Sequence, residues 1–241
     1  MWLTLLSCDR CHGCFEEERS GLLEIKALIN PNSFFGHLGD WTASKELDIA
    51  DCCEWYGIKC DNTTRRVIQL SLAGARDFRP GDWVLNASLF LPFKELQGLN
   101  LSRNRLTGCF ENEGFQLHPM RLRKLENLDL SRNQLNSNIS SILSGLLSLK
   151  SLDLSYNSML TASVIQDKDV AEFIFTTLNF TAYLAAVSFQ LDTSGLRKLE
   201  VLSMNELNIT GTTLLQSLGT LPSLKTLSLK DTNLSGTSII Q

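Results

Sequence analysis

At 241 residues, with 43% hydrophobic and 20% charged residues, the chain holds enough apolar material for one or two globular units or one elongated array. A formal net charge of −4 and an aromatic share of 8% offer neither a basic stripe nor a base-stacking platform, which excludes nucleic acid as the main partner. No phosphate-binding loop, H-E-x-x-H or G-x-S-x-G motif occurs, so neither an enzyme nor a cofactor is expected.

Residues 1–13 read as a leader remnant or a disordered start, because the apolar run WLTLL is shorter than the core of a secretory signal. Within it Cys8, Cys11 and His12 form C-x-x-C-H, the pattern of a c-type haem attachment site. Haem needs a second axial ligand and a helical pocket, which the sequence does not offer. A zinc site with Cys14 lacks the second ligand pair that structural zinc uses. The motif is read as coincidence, with only Cys14 structural.

Residues 14–66 form a separate module. Leu22, Ile25, Lys26 and Ile29 recur at helical spacing, behind three acidic residues (Glu16, Glu17, Glu18) that suit a helix N-terminus. Cys52, Cys53 and Cys60 follow, with Trp41 and Trp55 nearby. Four cysteines, Cys14 included, allow three pairings.

Repetition begins at residue 67. VIQLSLAGARD from Val67, LQGLNLSRNRL from Leu96, LENLDLSRNQL from Leu125 and LKSLDLSYNSM from Leu149 approximate L-x-x-L-x-L-x-x-N-x-L, as do LEVLSMNELNI from Leu199 and LKTLSLKDTNL from Leu224. Each copy predicts one short strand buried on one face, and stacked copies predict a parallel sheet that no single repeat could stabilise alone. Asn104, Asn133 and Asn157 fill the N slot, where an inward amide can satisfy backbone groups left at the strand end, while Leu207 and Thr232 replace it later.

The starts at Val67, Leu96, Leu125, Leu149, Leu199 and Leu224 are 29, 29, 24, 50 and 25 residues apart, so one interval is double. Residues 160–190 are therefore a degenerate repeat, with FTTLNFTAYLA from Phe175 forced onto the template, or an insertion whose removal restores the spacing. Residues 67–159 and 191–241 are the leucine-rich repeats proper, the last of them ending in mid-repeat without a C-terminal cap.

The x positions of the repeats face outward in register. One column reads Arg103, Arg132, Tyr156, Glu206 and Asp231, running from basic to acidic. Another contains Asn100, Asp129 and Asp153. Of these, Arg103, Asp129, Arg132, Asp153, Tyr156, Glu206 and Asp231 are the candidate concave-face binding residues. N-x-[ST] acceptors begin at Asn62, Asn86, Asn100, Asn138, Asn179, Asn208 and Asn233, a set that suits an extracellular glycoprotein.

The run C-F-E-E-E-R-x-x-L-L-x-I-K, then Asp40-Trp41, C-C-x-W-x-G-I-x-C and V-x-x-L-x-L resembles the N-terminal cap of plant extracellular leucine-rich repeat proteins. The following L-x-L-S-x-N-x-L-x-G repeats, with Gly108, Gly211 and Gly236 in the G slot, are most similar to those of receptor-like proteins. The resemblance implies an α/β solenoid: a right-handed curved leucine-rich repeat array with a parallel concave sheet and a disulfide-bonded N-terminal cap. It implies Cys14 bonded to Cys52 and Cys53 to Cys60, with the tryptophans packed against the bridges. It implies an extracellular peptide, protein or glycan ligand, a receptor kinase as co-receptor, and signalling in defence before development. The expected location is the extracellular face of the plasma membrane, or the apoplast. A membrane anchor is expected of full-length members and is absent from this sequence. Two other readings are a secreted protein similar to polygalacturonase inhibitors and an inactive truncated product.

Overall fold

The structure is a computed structural model that describes residues 14–31, 38–42, 51–77, 79, 81–109, 122–135, 143, 146–157, 196–210 and 218–235. The cap begins with helix α1, Glu16–Ile29, where the periodicity placed it. Leu22, Ile25 and Ile29 are buried on one face, and Lys26 turns across to donate to the Trp41 carbonyl at 2.6 Å. Glu18 reaches back to accept from the Phe15 N–H at 3.4 Å, and one of its oxygens accepts from the Val67 N–H at 3.3 Å. That side chain thus ties the helix start to the first strand of the array.

Strand β1, Ile58–Cys60, pairs antiparallel with β2, Val67–Ser71, closing the cap over the array. Disulfides join Cys14 to Cys52 and Cys53 to Cys60, with Cα separations of 5.7 and 5.5 Å. Trp41 and Trp55 stack on each other, their ring centroids 5.7 Å apart, inside the core that also holds Cys52.

From β2 the main sheet runs in parallel through β4 (Gly98–Asn100), β6 (Asn127–Asp129), β7 (Ser151–Asp153), β8 (Val201–Ser203) and β10 (Thr226–Ser228). Every step is in register, with Leu70, Leu99, Leu128, Leu152, Leu202 and Leu227 aligned across the sheet. All but Leu227, on the last strand, are buried. The leucines of neighbouring repeats stack into one continuous core, which is why the array holds together without long-range folding of any repeat on itself.

β7 bonds directly to β8, with Ser151 opposite Val201. No strand of the intervening segment stands between them, although 50 residues separate Leu149 from Leu199 in sequence. Residues 158–195, and with them the alternatives framed for 160–190, lie outside the described residues. So do residues 1–13, with the C-x-x-C-H motif.

Two further parallel pairs flank the main sheet. β3, Trp83–Leu85, pairs with β5, Leu106–Cys109, and β9, Asn208–Thr210, pairs with β11, Asn233–Ser235. Cys109 is therefore the last residue of a strand.

Candidate ligand-binding face

Past the ends of β4, β6 and β7 the backbone is held by an asparagine at the same place in each repeat. The Asn104 amide donates to the carbonyls of Leu72 (2.8 Å), Leu101 (2.9 Å) and Ser102 (3.0 Å), and its oxygen accepts from the Arg76 N–H at 3.0 Å. Asn133 repeats this one step on, donating to Leu101, Leu130 and Ser131 and accepting from the Asn104 and Leu106 N–H groups. Asn157 donates to Leu130, Leu154 and Ser155 and accepts from Leu135. All three are buried, so each spans two repeats and leaves no orphaned group of its own. Thr232 retains one of these bonds, from its hydroxyl to the Met204 carbonyl at 2.6 Å.

The column Asn100, Asp129, Asp153 serves the same turns with one oxygen. Each Oδ1 accepts from the N–H two residues on: Ser102 and Ser131 at 2.9 Å, and Ser155 at 2.9 Å. The second carboxylate oxygen of Asp129 and of Asp153 has no protein donor among the described residues, and both side chains are half-buried.

These residues, with Leu70, Leu99 and Leu128 between them, line a concavity of about 630 Å³ on the strand face of the sheet, whose lining is mixed polar and apolar. Gly57, Ile58 and Lys59 form its wall at the cap end, and Gln69, Ser71, Gly98, Asn100, Asn127, Asp129, Ser151 and Asp153 form its floor. Its charge is polarised, with an ammonium at one end and two carboxylates at the other. Gly57 has φ +80°, and a Cβ there would meet the Ser71 carbonyl oxygen at 2.4 Å. Only glycine lets the β1 hairpin approach β2 this closely, and that approach sets the wall.

The other predicted column lies elsewhere. Arg103, Arg132, Tyr156, Glu206 and Asp231 sit three residues past their strands, at the rim rather than among the lining residues, because the chain turns there in the left-handed region. Their φ values are 60°, 54°, 61°, 52° and 53°, the place taken by Gly74 (φ 60°) in the first repeat. All five side chains are exposed, and the Arg132 guanidinium lies 3.9 Å from the Tyr156 ring centroid.

Sequence reading missed Lys59, Gln69, Asn127 and Ser151. Gln69, Asn127 and Ser151 carry no signal beyond their outward third position in L-x-x-L, and Lys59 lies on β1 in the cap, outside the repeats. Sequence reading also missed a ladder at the second position, where Glu126 pairs with Lys150 at 2.8 Å and Glu200 with Lys225 at 2.9 Å. The Lys225 hydrogen bond, aided by the charges of Lys225 and Lys150, holds the Glu200 carboxyl below the usual carboxylate range.

Of the sugar acceptors, Asn62 is exposed in the β1–β2 turn and Asn86 is exposed ahead of a short 3-10 turn at Ala87–Phe90. Asn100 is half-buried on the concave face, and Asn208 and Asn233 open β9 and β11. Asn138 and Asn179 lie outside the described residues.

The disulfide-locked cap, the in-register parallel sheet and the asparagine ladder together define a capped leucine-rich repeat protein. Residues 15–61 match the leucine rich repeat N-terminal domain, and residues 124–146 match the leucine rich repeat. The chain is similar to plant receptor-like proteins. It is 43% identical over 147 residues to Cuscuta receptor 1 of Solanum lycopersicum, covering 59% of this chain and 12% of that protein. It is 39% identical over 163 residues to Receptor-like protein 9b of Arabidopsis thaliana, covering 66% of this chain and 16% of that one. The chain thus spans well under a fifth of the relatives it matches. Among solved structures, the leucine-rich repeat ectodomain of the Arabidopsis thaliana receptor kinase GASSHO1/SCHENGEN3 aligns with a TM-score of 0.46 and 23% identity, over 89% of this chain and 21% of that one. Among the described residues, no helix is long and apolar enough to cross a membrane.

Proposed function

We propose that the chain is the extracellular ligand-recognition region of a plant receptor-like protein that has no kinase of its own and signals through partner receptor kinases. The likeness to receptor-like proteins over about two thirds of the chain supports the class of protein. The concavity supports the recognition role. Its floor of amides, hydroxyls and two carboxylates, each with one oxygen that has no protein donor among the described residues, is closed by Lys59 and offers donors and acceptors to an extracellular ligand, a peptide segment or an oligosaccharide. The protein then acts at the outer face of the plasma membrane, and its signalling belongs to defence before development.

The single observation that carries this reading is the continuous concave floor from Gln69 to Asp153, where Gln69, Asn127 and Ser151 make no side-chain hydrogen bond among the described residues and Asp129 and Asp153 each spend only one oxygen on a turn. The test is binding of fractionated extracellular plant fluid to the immobilised chain, before and after protease and glycosidase treatment. Asn127→Lys with Ser151→Lys is the comparison protein, since neither side chain makes a hydrogen bond among the described residues. One fraction is expected to bind the wild type and to bind the double variant at least about tenfold more weakly. A fraction bound equally by both proteins, or none bound by the wild type, overturns the proposal.

A further inference from the structure

We propose that the exposed rim column pairs two copies of this chain, antiparallel about a two-fold axis through Tyr156. The column reads Arg103, Arg132, Tyr156, Glu206, Asp231 at equivalent positions of five consecutive repeats of the sheet. Its backbone amides form a ladder. Arg103 N–H donates to Ser131 at 3.1 Å, Arg132 to Ser155 at 2.8 Å, Tyr156 to Asn205 at 2.9 Å and Glu206 to Lys230 at 2.9 Å. The five backbone positions are therefore evenly spaced, about 4.8 Å apart, in a stripe roughly 20 Å long. The direct β7–β8 pairing is what brings Glu206 next to Tyr156, and so makes the spacing even.

The order of charges matters more than their sum. Two cations, a central aromatic and two anions form a sequence that is its own complement when reversed. A two-fold axis at the centre places Arg103 opposite Asp231 and Arg132 opposite Glu206, twice over, with the two Tyr156 rings meeting on the axis. An interface between identical surfaces requires this reciprocity, and a partner of unrelated sequence does not. Arg132 already lies against the Tyr156 ring, which aims its guanidinium along the stripe. Arg103, Glu206 and Asp231 make no side-chain hydrogen bond or ion pair among the described residues, so the array does not consume these charges.

The test is sedimentation velocity of the full chain at rising concentration, in about 50 mM and about 500 mM salt, where the screening length falls several-fold. The wild type is expected to form a reversible dimer at low salt, weakened at least about tenfold at high salt. Arg103→Glu with Arg132→Glu makes the stripe wholly acidic, and Glu206→Lys with Asp231→Lys makes it wholly basic. Each double variant alone is expected to be monomeric, and the two mixed are expected to form a heterodimer. A wild type that stays monomeric at both salts overturns the proposal, even if an extracellular protein or peptide binds the stripe. So does a dimer that either double variant keeps, or a mixture that does not associate. The salt dependence of the wild type reads the same property if a variant fails to fold.

Discussion

At the residue scale, buried polar groups decide where this fold can be broken. Asn133 is the clearest case, because its amide serves carbonyls of two repeats and its oxygen two N–H groups. Asn133→Ala leaves several of these buried groups unpaired, at about 1–3 kcal/mol each. Chemical denaturation is expected to show a loss of roughly 3 kcal/mol or more, and a loss under about 1 kcal/mol would contradict the ladder's role. Glu18 makes a different expectation. Burial raises its pKa, only partly opposed by the charge of Arg66 3.9 Å away. A raised folded pKa means the native state binds this proton more readily than the unfolded chain does. Stability from this group therefore rises as pH falls from above the folded value toward the ordinary carboxylate range. Glu17, Asp61 and Glu200 are shifted downward, and their contribution is lost only at lower pH, below that range. Comparing melts from about pH 7.5 down to the ordinary carboxylate range, the Glu18→Gln variant is expected to lose the part of the wild-type pH dependence that favours acid. An identical pH dependence in both proteins would contradict the assignment.

At the scale of elements, the cap is a small unit whose core is stapled. In the chain-entropy account a bridge stabilises more when it closes a longer loop. Cys14–Cys52 spans 38 residues and Cys53–Cys60 spans 7. Replacing the first pair by serine is expected to cost about 4 kcal/mol and the second about 2 kcal/mol, read from urea denaturation. The reverse order would contradict it. Cap and strands were legible in the sequence for a physical reason: each is written in residues that must be buried or bonded. The leucine at each strand centre, the asparagine at Asn104, Asn133 and Asn157, and the cysteines admit few alternatives. Gln69, Asn127 and Ser151 were not legible, because an outward position at the third place of L-x-x-L accepts any polar residue. The flanking pairs β3–β5 and β9–β11 escaped for a related reason. β5, β9 and β11 take in only the last one or two residues of the leucine signature and β3 none of it, so no alternation of buried and outward positions marks them as strands.

At the scale of the whole molecule, the continuity of the sheet matters most. We propose that the extra residues between the fourth and fifth repeats are an insertion, since β7 and β8 already bond as neighbours and leave no place for a strand between them. Deleting about 26 residues between 160 and 190 restores ordinary repeat spacing, and melting is expected to move by no more than about 2 °C. A chain that no longer folds would contradict an insertion and favour a degenerate repeat. The rim column illustrates what one sequence cannot fix by pattern alone. Its residues were found, but their place on the turn rather than the concave floor follows from a left-handed backbone at positions without glycine.

The central claim is that the concave floor, and not the turns outside it, meets an extracellular ligand. The most direct measurement places a photo-activated cross-linker at Asn127, on the floor, and separately at Leu147, which is 62% exposed on the turn leading into β7. Each protein is irradiated in extracellular plant fluid, and the adducts are identified by mass spectrometry. The expected result is a defined adduct at position 127 that is missing at position 147 and is suppressed when Ser151→Lys is added. Equal labelling at both positions, or labelling at 147 alone, would contradict recognition by the concave face.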